Sequence, residues 1–176
     1  MSEPTPTSDE WSMIWKARME GLSVLFGSPG ELVYHATTPF QFREHGGAAD
    51  VVPFPNHVSG MTYISSELTG ENVGQLENSL GHYELAICTR SDVSMAADFI
   101  SRLACYTCDS VLEPGQTMDI GTFFGDSTIK AVVFSTFGKN KERFTLNGIS
   151  CGVLLCIGIT SDEWGGPRFR TSRSLK

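Results

Sequence analysis

The sequence predicts an α+β domain: a mixed, mostly antiparallel sheet flanked by helices. Three observations carry that expectation. Residues 151–159, CGVLLCIGI, hold no charge and no polar side chain other than thiols. That run is too short to span a membrane and reads as a strand buried on both faces at the middle of a sheet. Two segments, near 9–26 and 92–109, repeat apolar residues at helical spacing. Several short runs alternate apolar and polar residues, as half-buried strands do.

Taken in order, residues 1–8 are polar and are expected to be disordered, while 9–164 form the domain and 165–176 a basic tail. Thr7-x-x-Glu10 is a capping-box pattern ahead of the first helix. In that helix Trp11, Trp15, Met19, Leu22 and Phe26 form one stripe. Gly27-Ser28-Pro29-Gly30 ends it. Glu31–Thr37 reads as a short strand, 39–47 as a loop, and Val51-Val52 as an extended piece broken by Pro53 and Pro55. Met61–Leu68 is a strand, followed by a turn at 69–72, and 70–80 reads as a surface loop. His82–Arg90 is a strand with Tyr83, Leu85 and Ile87 on one face. The second helix presents Val93, Ala96, Ala97, Ile100, Leu103, Ala104 and Thr107 inward. Ile129–Phe137 is a strand with a turn at 138–141, and Phe144–Leu146 leads into the central strand. There, Gly152 and Gly158 mark places where another element comes close. After it, Thr160-x-x-Glu163 is a second capping box. Gly165-Gly166-Pro167 limits the helix it starts to one turn near 161–164, with an extended or mobile tail beyond.

The length of 176 residues fits one domain, and 40% apolar content supplies a core. Thirteen basic and twenty acidic residues give a net charge of −7. Four of the basic residues, Arg168, Arg170, Arg173 and Lys176, lie in the last nine positions, so the body alone has nine against twenty, or −11. Such a body repels phosphate backbones and excludes nucleic acid as a direct partner. It favours a basic protein surface. Five cysteines, an odd number, point to reduced thiols and a cytoplasmic protein. The polar, acidic N-terminus is no signal peptide.

No catalytic motif stands out. Cys105-x-x-Cys108 has the spacing of metal and redox sites but lacks the second ligand pair that zinc needs. Cys151 and Cys156, five residues apart on a strand, fall on opposite faces. The histidines His35, His45, His57 and His82 stand at no ligand-like spacing. There is no nucleophile elbow, P-loop or dinucleotide fingerprint. No cofactor and no stoichiometric metal are expected.

Three segments together resemble the suppressor-of-fused (SUFU) domain family. The first is Tyr63-Ile64-Ser65 with Glu67-Leu68-Thr69-Gly70-Glu71-Asn72. The second is Tyr83-Glu84-Leu85-Ala86-Ile87-Cys88-Thr89-Arg90, ahead of a helix ending Leu103-Ala104-x-Tyr106. The third is Gly152-Val153-Leu154-Leu155-x-Ile157-Gly158-Ile159-Thr160-x-x-Glu163. They occur in the family's order across roughly residues 20–163. The resemblance implies helices around a mixed sheet and a protein-binding module rather than an enzyme. In animal relatives a second domain helps clamp a strand-forming peptide, and single-domain bacterial relatives act as immunity proteins; only the first domain is matched here. It also implies partner contacts at Tyr63 and Glu71. Trp164 joins them as the cap expected over a patch that relatives cover with a helix, which points to a homodimer or partner contact. The expected function is therefore neutralising or sequestering a protein partner, a toxin or a peptide strand. The competing expectation is a small hydrolase or metal-dependent enzyme using His45, His57 or the Cys105–Cys108 pair.

Overall fold

The computed structural model describes residues 8–40, 47–70, 75–91, 93–138, 142–164 and 172–173. Among the described residues, eight strands form one sheet, with a helix packed on each face. They are β1 (Val51–Phe54), β2 (Met61–Ser65), β3 (Tyr83–Thr89), β4 (Thr117–Asp119), β5 (Ile129–Thr136), β6 (Arg143–Leu146), β7 (Ile149–Thr160) and β8 (Ser172–Arg173). The helices are α1 (Ser8–Phe26), α2 (Ser94–Tyr106) and the single turn α3 (Ser161–Trp164). The sheet order is β1-β2-β3-β7-β5-β4-β8, with β6 also on β7. Among the named strand pairs of the described residues, β3–β7 and β4–β8 are parallel and the others antiparallel.

The apolar run is the centre of the sheet, as its composition predicts. At Cys156, β7 pairs with Ile87 of β3 on one edge and Phe134 of β5 on the other. At Gly152 it pairs with Tyr83 of β3 and Arg143 of β6. β5 and β6 therefore share one edge and act as a single antiparallel partner, interrupted at 137–142. Asn147-Gly148 closes this long hairpin with both residues at positive φ, 49° and 83°, the turn that matches strand twist. Gly152 is required by close approach, since a Cβ there would meet Leu80 Cβ at 2.7 Å.

The two faces hold separate cores. α2 lays Ala96, Ala97, Ile100, Leu103 and Ala104 on Tyr63, Leu85, Ile87, Val132, Phe134, Leu154 and Cys156. α1 lays Leu22 and Phe26 on Val52, Ile64, Ala86, Val153 and the β6 residues Phe144 and Leu146. Burying Leu22 or Phe26 stabilises by roughly 1.5–3 kcal/mol each. Cys151 and Cys156 belong to opposite cores.

Several expectations are corrected. Glu31–Thr37 is not a strand: only Tyr34 bridges Val51, because Pro29, Gly30 and the single free edge of β1 leave it one pairing position. Pro53 does not break β1, since it lies within an edge strand that tolerates the missing donor. The 70–80 segment is not all surface. Gln75 and Leu80 are buried, with Gln75 Nε2 donating to Tyr83 O at 3.0 Å. Val93 is 37% exposed, for it precedes α2 in extended backbone. β7 is buried on both faces only through its first half, and Ile157 is 43% exposed where α1 no longer covers the sheet. The strands β4 and β8 were not expected at all. Thr7 lies outside the described residues, as do the turn positions 139–141.

Candidate protein-interaction site

A buried polar cradle holds the turn that follows β2. Glu84 is the second residue of β3, on the face that α1 covers, and is fully buried. Its carboxylate accepts from Ser65 Oγ at 2.6 Å, Thr69 Oγ1 at 2.7 Å, and the Thr69 and Leu68 amides at 2.9 and 3.1 Å. Arg18 of α1, also buried, brings Nε to 3.6 Å from Glu84, and its guanidinium donates to Thr69 O and Thr69 Oγ1. Burial pushes the Glu84 carboxyl up, against the pull of Arg18, Ser65 and Thr69. Four donors directed at one carboxylate make the ionised form the one this cradle fits. Burial likewise lowers the Arg18 pKa against the pull of Glu84.

A second chain of bonds ties the same turn to the sheet edge. Glu67 accepts the Asp50 amide at 3.0 Å, and burial raises its pKa. Asp50 accepts the Ala36 amide and contacts His35 Nδ1, each at 2.7 Å, while its carbonyl accepts from Ser66. Residues 65–69 are thereby fixed from two sides up to the point where Glu71 follows. Glu71 itself lies outside the described residues.

Tyr63 is not a surface contact. It is fully buried, packs edge-on against Tyr34 with ring centroids 5.8 Å apart, and accepts the Val93 amide on its hydroxyl at 2.8 Å. It fastens the start of α2 to the sheet. Above it a cleft of about 350 Å³ opens between residues 34–38 and α2. Tyr34, His35, Ser94, Asp98 and Arg102 line it. Arg102 pairs with Asp98 at 2.9 Å and lies 5.8 Å from the Phe123 ring. Phe123 and Phe124 sit on Phe99 as a half-buried aromatic group beside the cleft.

Trp164 is half-buried at the end of α3, which lies against β5 and β7. The capping box forms as written in the sequence: Glu163 accepts the Thr160 amide at 2.9 Å and its hydroxyl at 2.8 Å. These bonds hold the exposed Glu163 carboxyl below its ordinary range.

The described residues of the competing reading do not converge. His57 packs edge-on against Phe26 and at a tilt against Phe137, two rings that also touch each other, and His45 lies outside the described residues. Cys105 lies in the last turn of α2 and Cys108 just past its end, both half-buried. Burial raises the Cys105 pKa, the opposite of thiolate activation. Among the described residues, no three metal-ligating side chains come together.

The sequence reading missed Arg18 and Glu84. A signal existed for both. Arg18 falls between Trp15 and Leu22 on the apolar stripe of α1, and Glu84 is the lone acid in an apolar strand.

With its mixed sheet, long central strand and a helix on each face, this chain has the fold of a SUFU-like domain. Two solved structures carry the comparison. A SUFU homolog from Neisseria gonorrhoeae FA 1090 superposes with a TM-score of 0.56 at 16% identity, over 85% of this chain and 79% of that one. A chain of the Sufu–Fu complex superposes with a TM-score of 0.59 at 13% identity, over 85% of this chain and 76% of that one. No family model matches the sequence, and no curated protein matches it. Among the described residues, no helix is long and apolar enough to cross a membrane.

Proposed function

We propose that this protein is a non-enzymatic binding module that neutralises or sequesters a protein partner, in the manner of an immunity protein. The observation that carries the reading is the fold, shared with a chain crystallised as part of a Sufu–Fu complex. The −11 body supports a basic partner. Within this reading Glu71 and Trp164 meet the partner, and the half-buried Trp164 also suits a homodimer contact. Tyr63 acts from beneath by fixing α2. The protein works in the cytoplasm, where its five thiols stay reduced.

The test is titration of the purified protein with the purified product of the adjoining reading frame, followed by calorimetry. Saturable binding that abolishes a toxic activity of that product is expected. A protein that binds and leaves the toxicity intact would sink the immunity reading, and the absence of binding would sink the choice of partner.

A further inference from the structure

We infer that Cys105 and Cys108 form a dithiol that closes under oxidation. A low-molecular-weight disulfide of the glutathione type converts the pair to an intrachain disulfide, which locks the turn that follows α2. The inference is independent of the protein-binding reading and gives the CxxC spacing a use other than metal.

The end of α2 winds more tightly than its body. The Thr107, Cys108 and Asp109 amides donate to the carbonyls of Ala104, Cys105 and Tyr106 at 3.1, 3.2 and 3.2 Å. Successive bonds of that spacing make a 3₁₀ turn, in which a side chain lies directly above the one three positions on. One such turn rises about 6 Å, inside the Cα separation of roughly 4.4–6.8 Å that a disulfide spans. Both residues are half-buried, so a small disulfide reaches them. Burial, then the charge of Cys108 and of Asp109, pushes the Cys105 thiol up, so the two sulfurs sense each other. The other three cysteines have no such arrangement. Cys151 and Cys156 lie in opposite cores, and Cys88 shares the α1 face of β3 with Ala86.

The turn is the root of a clasp. Thr107, between the two cysteines, is fully buried, and its carbonyl accepts the Leu76 amide at 3.0 Å. Beyond it, Asn78 Nδ2 donates to Leu112 O at 2.6 Å and the Ser79 amide to Glu113 at 3.1 Å. The clasped segment carries Gln75, which bonds both backbone groups of Tyr83, and Leu80, which packs on Gly152 of β7. Fixing 105–108 therefore fixes the entry to β3.

Closure takes two thiol exchanges. One cysteine thiolate attacks a sulfur of glutathione disulfide and expels a glutathione thiolate, leaving a mixed disulfide. The other cysteine thiolate attacks the protein sulfur of that bond and expels the second glutathione. The two cysteine protons end on the two glutathione thiols, and the protein has given up two electrons. A thiol as hard to ionise as Cys105 exchanges slowly. The pair is therefore reduced at rest and closes under a sustained rise of the disulfide pool.

The test uses the native full chain, equilibrated in glutathione buffers of rising disulfide fraction, quenched with acid, alkylated and cut with trypsin. Fragment 103–130 carries Cys105 and Cys108 and no other cysteine. As the disulfide fraction rises, this fragment is expected to lose two hydrogens and to take up no alkylating group, while Cys88, Cys151 and Cys156 are alkylated as before. Hydrogen exchange then reads the clasp. The Leu76 amide should exchange at least about fivefold more slowly in the closed chain than in the reduced one, a larger change than in β7. A fragment alkylated at both cysteines in the most oxidising buffer, one that stops at the mixed disulfide, a bond to Cys88, or a bond between two chains would each overturn the proposal. So would closure that leaves Leu76 exchange unchanged.

Discussion

Glu84 and Arg18 show how one buried pair can organise a surface turn. Neither charge is stabilised by water, and each is balanced by the other and by the 65–69 turn. Removing one partner leaves the other buried and unpaired. We expect Glu84→Ala to destabilise the protein by about 3–5 kcal/mol, with Arg18 and the two turn amides stranded. The double variant Arg18→Met, Glu84→Leu should be less destabilised than the single, because it strands no charge. Urea unfolding of the three proteins checks this. A double variant as unstable as Glu84→Ala would mean that the turn amides, rather than the charge, carry the effect. Tyr63 teaches the same lesson at lower stakes. Its identity was legible in the YIS strand, but its burial was not, because alternation says which residues share a face and not which face another element covers.

Among the elements, legibility followed length and period. α1, α2 and the central strand were visible because each repeats its pattern over many residues. β4 has three residues and β8 two, too few for any period, and both exist only because a neighbouring strand supplies the ladder. Glu31–Thr37 failed for the converse reason, having strand composition without an edge long enough to pair with. Helix α1 carries a constraint that its stripe does not reveal. Gly21 sits where a Cβ would lie 2.9 Å from Phe144 Cδ2 and 3.0 Å from Thr145 O. In an exposed helix, replacing glycine by alanine gains about 1 kcal/mol. Here the added methyl must push α1 off β6. We expect Gly21→Ala to cancel that gain and destabilise by about 1–3 kcal/mol, as overpacking does. Thermal melts decide the sign; a stabilised variant would show that α1 shifts on β6 freely.

For the molecule as a whole, the distribution of charge matters more than its total. A net −7 is the sum of a −11 body and a +4 tail, and the tail's only described pairing is the two-residue β8. Among the described residues, neither core includes a residue beyond Cys156. Removing residues 168–176 should therefore leave stability within about 0.5 kcal/mol of the native chain, the range of surface changes. The same deletion removes four of the chain's thirteen basic residues and no acidic one. Association with a basic protein should then become faster at low ionic strength, because steering grows with the uncompensated field. The gain should vanish as salt shortens the screening length from roughly 30 Å at 0.01 M to 3 Å at 1 M. Stopped-flow association with lysozyme as the basic probe, at both salt levels and with both chain lengths, separates the terms. A truncation that melts early would show the tail to be part of the fold. A rate gain that survives high salt would mean that the tail blocks a surface rather than screens a field, and that its place on β4 matters more than its charge.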